Sequence, residues 1–445
     1  MRGHPGVRAR PTANPAARLE AGRSPTTWRP AGLVQGRAGV TPRAVFPGFS
    51  SSLALTSDSP VGVVVDRARG CLIYDPGGKE YLDLLSGMGV AALGHAHPRV
   101  VEAVSAQAAR HLHVMVYGEY VIESQVRLAA RLAGLLPAGL DKVYFTNSGT
   151  EAVEGAIKMV RKATGRSGML AFRGAFHGDT TGAVALGGNP LYRDPFVPLL
   201  PHCGLLEFND TGSLKAINES TAAVFVEPVQ SEAGVILPEP GFLAELAASC
   251  RAAGALLVFD EVITGLGRTG SLFALEREGV VPDVLLLAKA VGGGLPLGAF
   301  IASEKLMSIL SQDPPLGHVT TFGGHPLSCA AGLATLEVII EDHLPARAAK
   351  LGDYFADALT TAMQGDGLRE VRHAGLLLGL EMDSPSLAEA FVAECLEERL
   401  LTGRTLHDDG LIRLAPPLII SEAELDDAVL RMQRALSRAR SQPDA

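Results

Sequence analysis

Between about residues 98 and 346 the sequence alternates short apolar runs with helical stretches, and few folds accommodate that rhythm over so long a span. The apolar runs fall at 143–146, 169–172, 222–226, 256–259, 284–287 and 299–302, and the helical stretches at 123–136, 150–164 and 242–253. Runs of branched apolar residues bounded by turn formers read as strands buried on both faces. Their alternation with helices means βαβ units, hence an α/β fold whose large sheet is mainly parallel. Before this block, residues 61–84 alternate apolar and polar around Gly70 and Pro76-Gly77-Gly78, which predicts a small antiparallel hairpin region. After about 347, helices, strands at 376–381 and 411–414 and a last helix from Ser421 predict an α+β region.

Charge is spread unevenly. Residues 1–43 hold eight arginines and one acid, Glu20, so this stretch carries +7. Taking that from the net −9 leaves −16 for the remainder, which argues against a nucleic-acid partner. Residues 1–45 are rich in Arg, Pro, Gly and Ala without apolar periodicity and are expected to be disordered. Five scattered cysteines without metal or redox spacing predict reduced thiols and a cytoplasmic protein. The apolar segment 284–302 has membrane-span length, but Lys289, three glycines and Pro296 break it, so no membrane association is expected. His95 and His97 have no acid or cysteine close in sequence and read as part of a glycine-rich turn, with no metal expected.

The chemistry gathers where strands end. Lys289 closes the run from Val284 and precedes Gly292-Gly293-Gly294. Desolvation there favours the neutral amine, a nucleophile able to form a Schiff base with a carbonyl. Ser148-Gly149-Thr150-Glu151 opens a helix after a strand, with Ser148 and Glu151 at capping-box spacing, and makes an anion site. Phe176 and His177 follow the next strand; the aromatic can stack on a planar ring. Glu227 and Asp260 stand at two further strand ends, where open α/β sheets bind ligands. A buried Asp needs a cationic partner, which a protonated pyridine nitrogen would supply. Gly265-Leu-Gly267-Arg-Thr-Gly270 matches G-x-G-x-x-G, but it does not open a helix directly after its strand and is not read as a dinucleotide fingerprint. A phosphate cradle, a stacking aromatic, a carboxylate and a lysine together compose a site for pyridoxal phosphate.

With those residues in place, the sequence resembles the class III pyridoxal-phosphate aminotransferases of the ornithine, acetylornithine and 4-aminobutyrate group. The resemblance runs collinearly over about 48–438 and is most specific at 148–154, 260–270, 289–298, 321–324 and 413–418. It implies the fold of a type I pyridoxal-phosphate transferase, with a seven-stranded-type sheet in the large domain and a small α+β domain made from both chain ends. On that pattern residues 46–97 open the small domain, 98–346 form the large one, 347–438 complete the small one and 439–445 are a tail.

It also implies roles. Lys289 bonds to the cofactor and then moves the substrate proton, and Asp260 pairs with the pyridine nitrogen. Phe176 and Val262 cover the two ring faces, with His177 and Ile263 beside them. Ser148, Gly149 and Thr150 hold the phosphate, joined by Thr321 from a neighbouring subunit, which implies a homodimer with shared sites. Glu227 supports the ring hydroxyl. Arg413 resembles the arginine that grips the carboxylate of glutamate or 2-oxoglutarate, and Glu232 the acid that masks it. The reaction implied is ping-pong transfer from an ω-amino donor to 2-oxoglutarate. Two other readings stay open: another reaction on the same fold (aminomutase, racemase or decarboxylase), or a non-catalytic cofactor-binding protein. Four positions depart from the pattern. Asp179 replaces the arginine of ornithine and acyl-ornithine enzymes and points toward a diamine or another ω-amine. Ile263 stands for a common Gln, Ser231 for Gly and His325 for Asn.

Overall fold

The computed structural model describes residues 49–57 and 60–441; the tail expected at 1–45 lies outside them. After a one-turn helix, Phe49–Ser52, come three short strands: β1 (Arg67–Arg69), β2 (Leu72–Tyr74) and β3 (Glu80–Asp83), paired antiparallel in sequence order. This is the predicted hairpin region.

Seven strands follow: β4 (Lys142–Thr146), β5 (Gly168–Phe172), β6 (Cys203–Leu206), β7 (Thr221–Val226), β8 (Leu256–Asp260), β9 (Val284–Leu287) and β10 (Gly298–Ala302). They form one sheet in the order β4-β10-β9-β8-β7-β5-β6. The pairs β5–β6, β5–β7, β7–β8 and β8–β9 are parallel, and β10 runs against both its neighbours. Every residue of β7, β9 and β10 is buried, as a sheet covered on both faces requires. β10 reverses because residues 288–297 are too few for the helical crossover that a parallel neighbour needs. One strand, β6, was not anticipated. Its four residues include Gly204 and lie at the sheet edge, and only Leu206 is buried, so it lacks the apolar run that marks the others.

The chain ends with β11 (Leu368–Ala374), β12 (Leu377–Met382), β13 (Leu400–Leu401), β14 (Gly403–Arg404) and β15 (Leu411–Leu414). β11-β12-β15-β14 is an antiparallel sheet, and β13 pairs parallel with β3, so the two ends of the described chain share a sheet. Helix Glu123–Ala133 stops short of 136, while Gly149–Thr164 and Phe242–Ala253 fall where the pattern placed them. The buried helix Pro326–Glu341 went unread because it is apolar on nearly every side, which leaves no 3.6-residue stripe. The last helix, Glu422–Arg440, carries a full capping box at Ser421 and buries Ala439, so it passes the expected end at 438. Among the described residues no helix is long and apolar enough to cross a membrane, and the 284–302 segment is β9, a turn and β10.

Candidate active site

The strand order explains the site. β9, β8, β7 and β5 are successive neighbours and run in one direction, so the residues after their carboxyl ends fall in a row: Lys289, Asp260, Glu227, then Phe176 and His177. A cavity of about 490 Å³ opens there, lined by these five together with Ser148, Gly149, Thr150, Asp179, Glu232, Val262 and Ile263. Of the residues singled out from sequence, Arg413 and Thr321 do not line it. Arg413 stands one layer back, 3% exposed and ion-paired to Glu232. Thr321 is exposed and outside the cavity of its own chain.

Asp260 is 4% exposed. Its Oδ2 meets His177 Nδ1 at 2.8 Å and its Oδ1 accepts the Val262 N–H at 3.0 Å, so both oxygens are fixed. Burial pushes the His177 pKa down, but the bond to Asp260 and the charges of Asp260 and Glu227 outweigh it and the net shift is upward. His177 Nε2 is buried without a partner among the described residues. Glu227 accepts the N–H groups of Phe176 at 2.9 Å and Ser231 at 3.2 Å. Burial raises its carboxyl to about 7, with nearby Asp260 adding and His177 opposing.

Lys289 has φ 51°, a left-handed backbone that a lysine adopts only under local constraint, as at many functional sites. Burial, reinforced by the Arg413 charge, pulls its ammonium down to about 8, against the opposing pull of Glu232, Asp260 and Glu227. The amine is therefore uncharged over much of the range in which a free lysine is not.

At the other end of the cavity, helix Gly149–Thr164 presents its amino terminus. Its first-turn N–H groups have no intrahelical acceptor. Ser148 Oγ accepts the Glu151 N–H at 3.3 Å, one half of the expected capping box. The other half differs: Glu151 Oε2 takes the N–H and the side-chain Nδ2 of Asn147, both at 2.8 Å, one residue earlier than the box requires. Asn147 Nδ2 also donates to Thr320 Oγ1 at 3.0 Å. Asn147 thus lines the site and links it to the segment before Thr321, a role that its place between strand and helix hid in the sequence. A Cβ at Gly149 would lie 3.0 Å from Val262 Cγ2, so any larger residue there would have to push Val262 aside. Thr150 Oγ1 shares a 2.7 Å bond with Thr180 Oγ1.

Glu232 is held by Arg413 and by the Leu406 N–H at 3.0 Å, and Arg413 Nη1 also donates to Ser231 Oγ at 3.1 Å. Burial alone would raise the Glu232 carboxyl, but the Arg413 charge overrides it and the net shift is downward. Asp179 is exposed in the cavity with no hydrogen bond or ion pair among the described residues. His95 Nε2 bonds Asp83 Oδ2 at 2.8 Å, and among the described residues no group of three or more His, Cys, Asp or Glu could hold a metal.

A strand-end lysine, a buried carboxylate fixed by histidine and a helix amino terminus facing one cavity define a site for a phosphate-bearing carbonyl cofactor. The aminotransferase class-III family profile matches residues 54–436. The acetylornithine aminotransferase of Methanopyrus kandleri is 44% identical over 375 residues, which cover 84% of this chain and 94% of that one. The ornithine aminotransferase of Toxoplasma gondii, whose structure is described with partial occupancy of PLP at its active site, superposes with a TM-score of 0.82 at 31% identity. The match covers 89% of this chain and 95% of that one. A thermostable (S)-enantioselective omega-transaminase from Thermomicrobium roseum superposes with a TM-score of 0.82 at 30% identity, over 88% and 97% of the two chains. The chain belongs to the class-III aminotransferase family. It is a pyridoxal-phosphate-dependent aminotransferase of fold type I.

The residues fit that cofactor. The cavity has room for it and a substrate. The helix amino terminus suits a phosphate, and the fixed Asp260 suits a protonated ring nitrogen.

Proposed function

We propose that this enzyme moves an amino group from an ω-amino donor to 2-oxoglutarate in two half-reactions that share one site. The observation that carries the reading is the buried Arg413–Glu232 pair beside Lys289. An arginine that already has a carboxylate partner can exchange it for a substrate carboxylate. With Glu232 in place, the same cavity takes a donor that lacks a carboxylate at that end.

When bound, the cofactor supplies an electron sink for the carbon that loses its proton. Gly149, Thr150 and Ser148 would hold its phosphate, Asp260 its ring nitrogen, and Phe176 and Val262 its two faces, with Ile263 beside them. Asp260, oriented by His177, would offer its carboxylate to the ring nitrogen. Glu227, held by two backbone N–H groups, would lie toward the ring hydroxyl. Lys289 Nζ, uncharged above about pH 8, would take the proton from the donor carbon in one half-reaction and deliver a proton to the acceptor carbon in the other. Arg413 and Glu232 part to orient the acceptor.

The names of the relatives support an ω-amino donor: acetylornithine for the Methanopyrus protein, and ω-amines for the Thermomicrobium structure. Asp179 narrows the choice, because an exposed carboxylate without a partner among the described residues attracts an ammonium group and repels a carboxylate. A donor with a cationic far end, such as a diamine, is the reading we favour. Thr321 is taken to serve the cavity of a second copy, in a cytoplasmic homodimer. Its neighbours Phe322 and Val319 are 54% and 49% exposed, as an unburied contact face would be. Residues 46–97 and 347–438 are taken as the small domain around the large one.

The test is a donor panel: glutamate, acetylornithine, ornithine, lysine, putrescine and 4-aminobutyrate, each assayed with 2-oxoglutarate. Fastest turnover with a diamine supports the reading. Acetylornithine as the best donor contradicts the part given to Asp179, and activity without any oxo-acid acceptor contradicts transamination of 2-oxoglutarate.

A further inference from the structure

Arg268 is a buried cation, 2% exposed, and no carboxylate bonds to it among the described residues. Its Nη1 donates to Leu376 O at 2.9 Å and to Pro416 O at 2.5 Å, and its Nη2 to Ser86 Oγ at 3.4 Å. Burial pulls the guanidinium down to about 10, with Asp83 opposing from a distance. Holding a charge out of water without a bonded counter-ion is costly, so the contacts it makes must matter.

Besides Leu376, between β11 and β12, the segments it joins lead to the cavity. Arg268 lies on the loop that follows Asp260 and Ile263. Pro416 is three residues past Arg413. Ser86 begins a turn, Ser86–Gly89, in which four successive residues have left-handed backbones, with φ of 45°, 59°, 64° and 81°. Ser86 and Met88 are not glycine, so the turn stores strain that its surroundings must hold. Asp83 Oδ1 accepts the N–H groups of Leu85 at 2.8 Å and Ser86 at 2.9 Å. Ser86 Oγ donates to Ala415 O at 2.6 Å, and the same oxygen accepts from Arg268. The far end of the turn meets the site: Met88 Sδ lies 3.8 Å from Arg413 Nη2, and a Cβ at Gly89 would run into the Ile263 side chain.

The geometry points to Arg268 as a positioning residue for the acceptor carboxylate: it ties the left-handed turn to the chain just past β15 and so sets where the Arg413 guanidinium stands. This rests on the acceptor-binding role proposed for Arg413. None of the hydrogen bonds of this network is made to Lys289 or Asp260.

The test is Arg268→Lys, which keeps the charge but cannot reach all three acceptors, with Ser86→Ala as a milder cut in the same network. In holoenzyme of each, the donor and acceptor half-reactions are followed separately by visible absorbance, with melting temperature recorded. Arg268→Lys is expected to raise the KM for the 2-oxo acid about tenfold or more while the donor half-reaction stays within about threefold. Ser86→Ala moves the same constant by less. Combined with Arg413→Lys, the Arg268 change adds little, because both act on one contact. Equal losses in both half-reactions, or a lowered melting temperature with an unaltered KM, overturn the inference. A wild-type protein that a donor bleaches and 2-oxoglutarate does not restore contradicts the proposed acceptor instead. The same KM comparison is then made with whichever 2-oxo acid does restore it.

Discussion

At the end of the cavity proposed for the cofactor the charged groups are fixed by their surroundings, whereas at the end proposed for the substrates two are paired with each other and a third has no partner among the described residues. Asp260 is held by His177 and a backbone N–H, and Glu227 by two backbone N–H groups. Arg413 and Glu232 hold each other and, on the function proposed above, part when a substrate carboxylate binds, and Asp179 stands exposed with no partner among the described residues. The first arrangement suits chemistry that never changes, since prealigned charges need no reorganisation during reaction. The second suits a site that must accept two unlike substrates in turn.

If the division is right, damage at the two ends should read out differently. The largest effect belongs to Lys289→Ala, which removes the amine proposed as both nucleophile and base. Turnover should fall by more than about 10³-fold with every donor and acceptor, and undiminished activity in a steady-state assay would refute the assignment. Next comes Arg413→Lys, which keeps the charge but loses the planar fork. The KM for 2-oxoglutarate should rise about 10- to 100-fold with the donor half-reaction little changed, so an equal effect on both half-reactions would erase the contrast between the ends. Asp179→Asn should be smaller still: the preference for cationic donors over neutral ones should fall about tenfold, measured as a ratio of kcat/KM values.

The smallest effect is a pH dependence of stability. Lys289 has a folded pKa of about 8 against 10.5 for a free lysine. Between those values the unfolded chain binds the extra proton, so the cofactor-free protein should gain stability as pH rises from about 8 toward 10.5, and Lys289→Met should lose that gain. Chemical unfolding at a series of pH values checks it.

The fixed end was also the legible end. Lys289, Asp260 and Glu227 each follow an unbroken apolar run, so position and chemistry could be read together. The bond between His177 and Asp260 could not, because 83 residues separate them and only the neighbouring β5, β7 and β8 bring them close. Glu151 has capping-box spacing from Ser148, yet it bonds Asn147, a choice that loop geometry makes and spacing does not reveal. Arg268 was read only as part of a glycine motif. Its three acceptors come from residues 86, 376 and 416, which no local pattern connects. In the left-handed run Ser86–Gly89 only two residues are glycines, and nothing local reveals that Ser86 and Met88 share its conformation. Strand β6 and helix Pro326–Glu341 escaped for opposite reasons, the one too little apolar and the other too uniformly so.

The central claim, one site serving two half-reactions through Lys289 and Arg413, is tested most directly by the visible spectrum of the purified holoenzyme. Glutamate is added until the spectrum stops changing, then glutamate is removed and 2-oxoglutarate added. The account predicts that glutamate bleaches the cofactor band and that 2-oxoglutarate restores it in full, while Arg413→Lys needs far more of either to do the same. A band that glutamate leaves untouched, or one that bleaches and returns identically in the Arg413 variant, would contradict it.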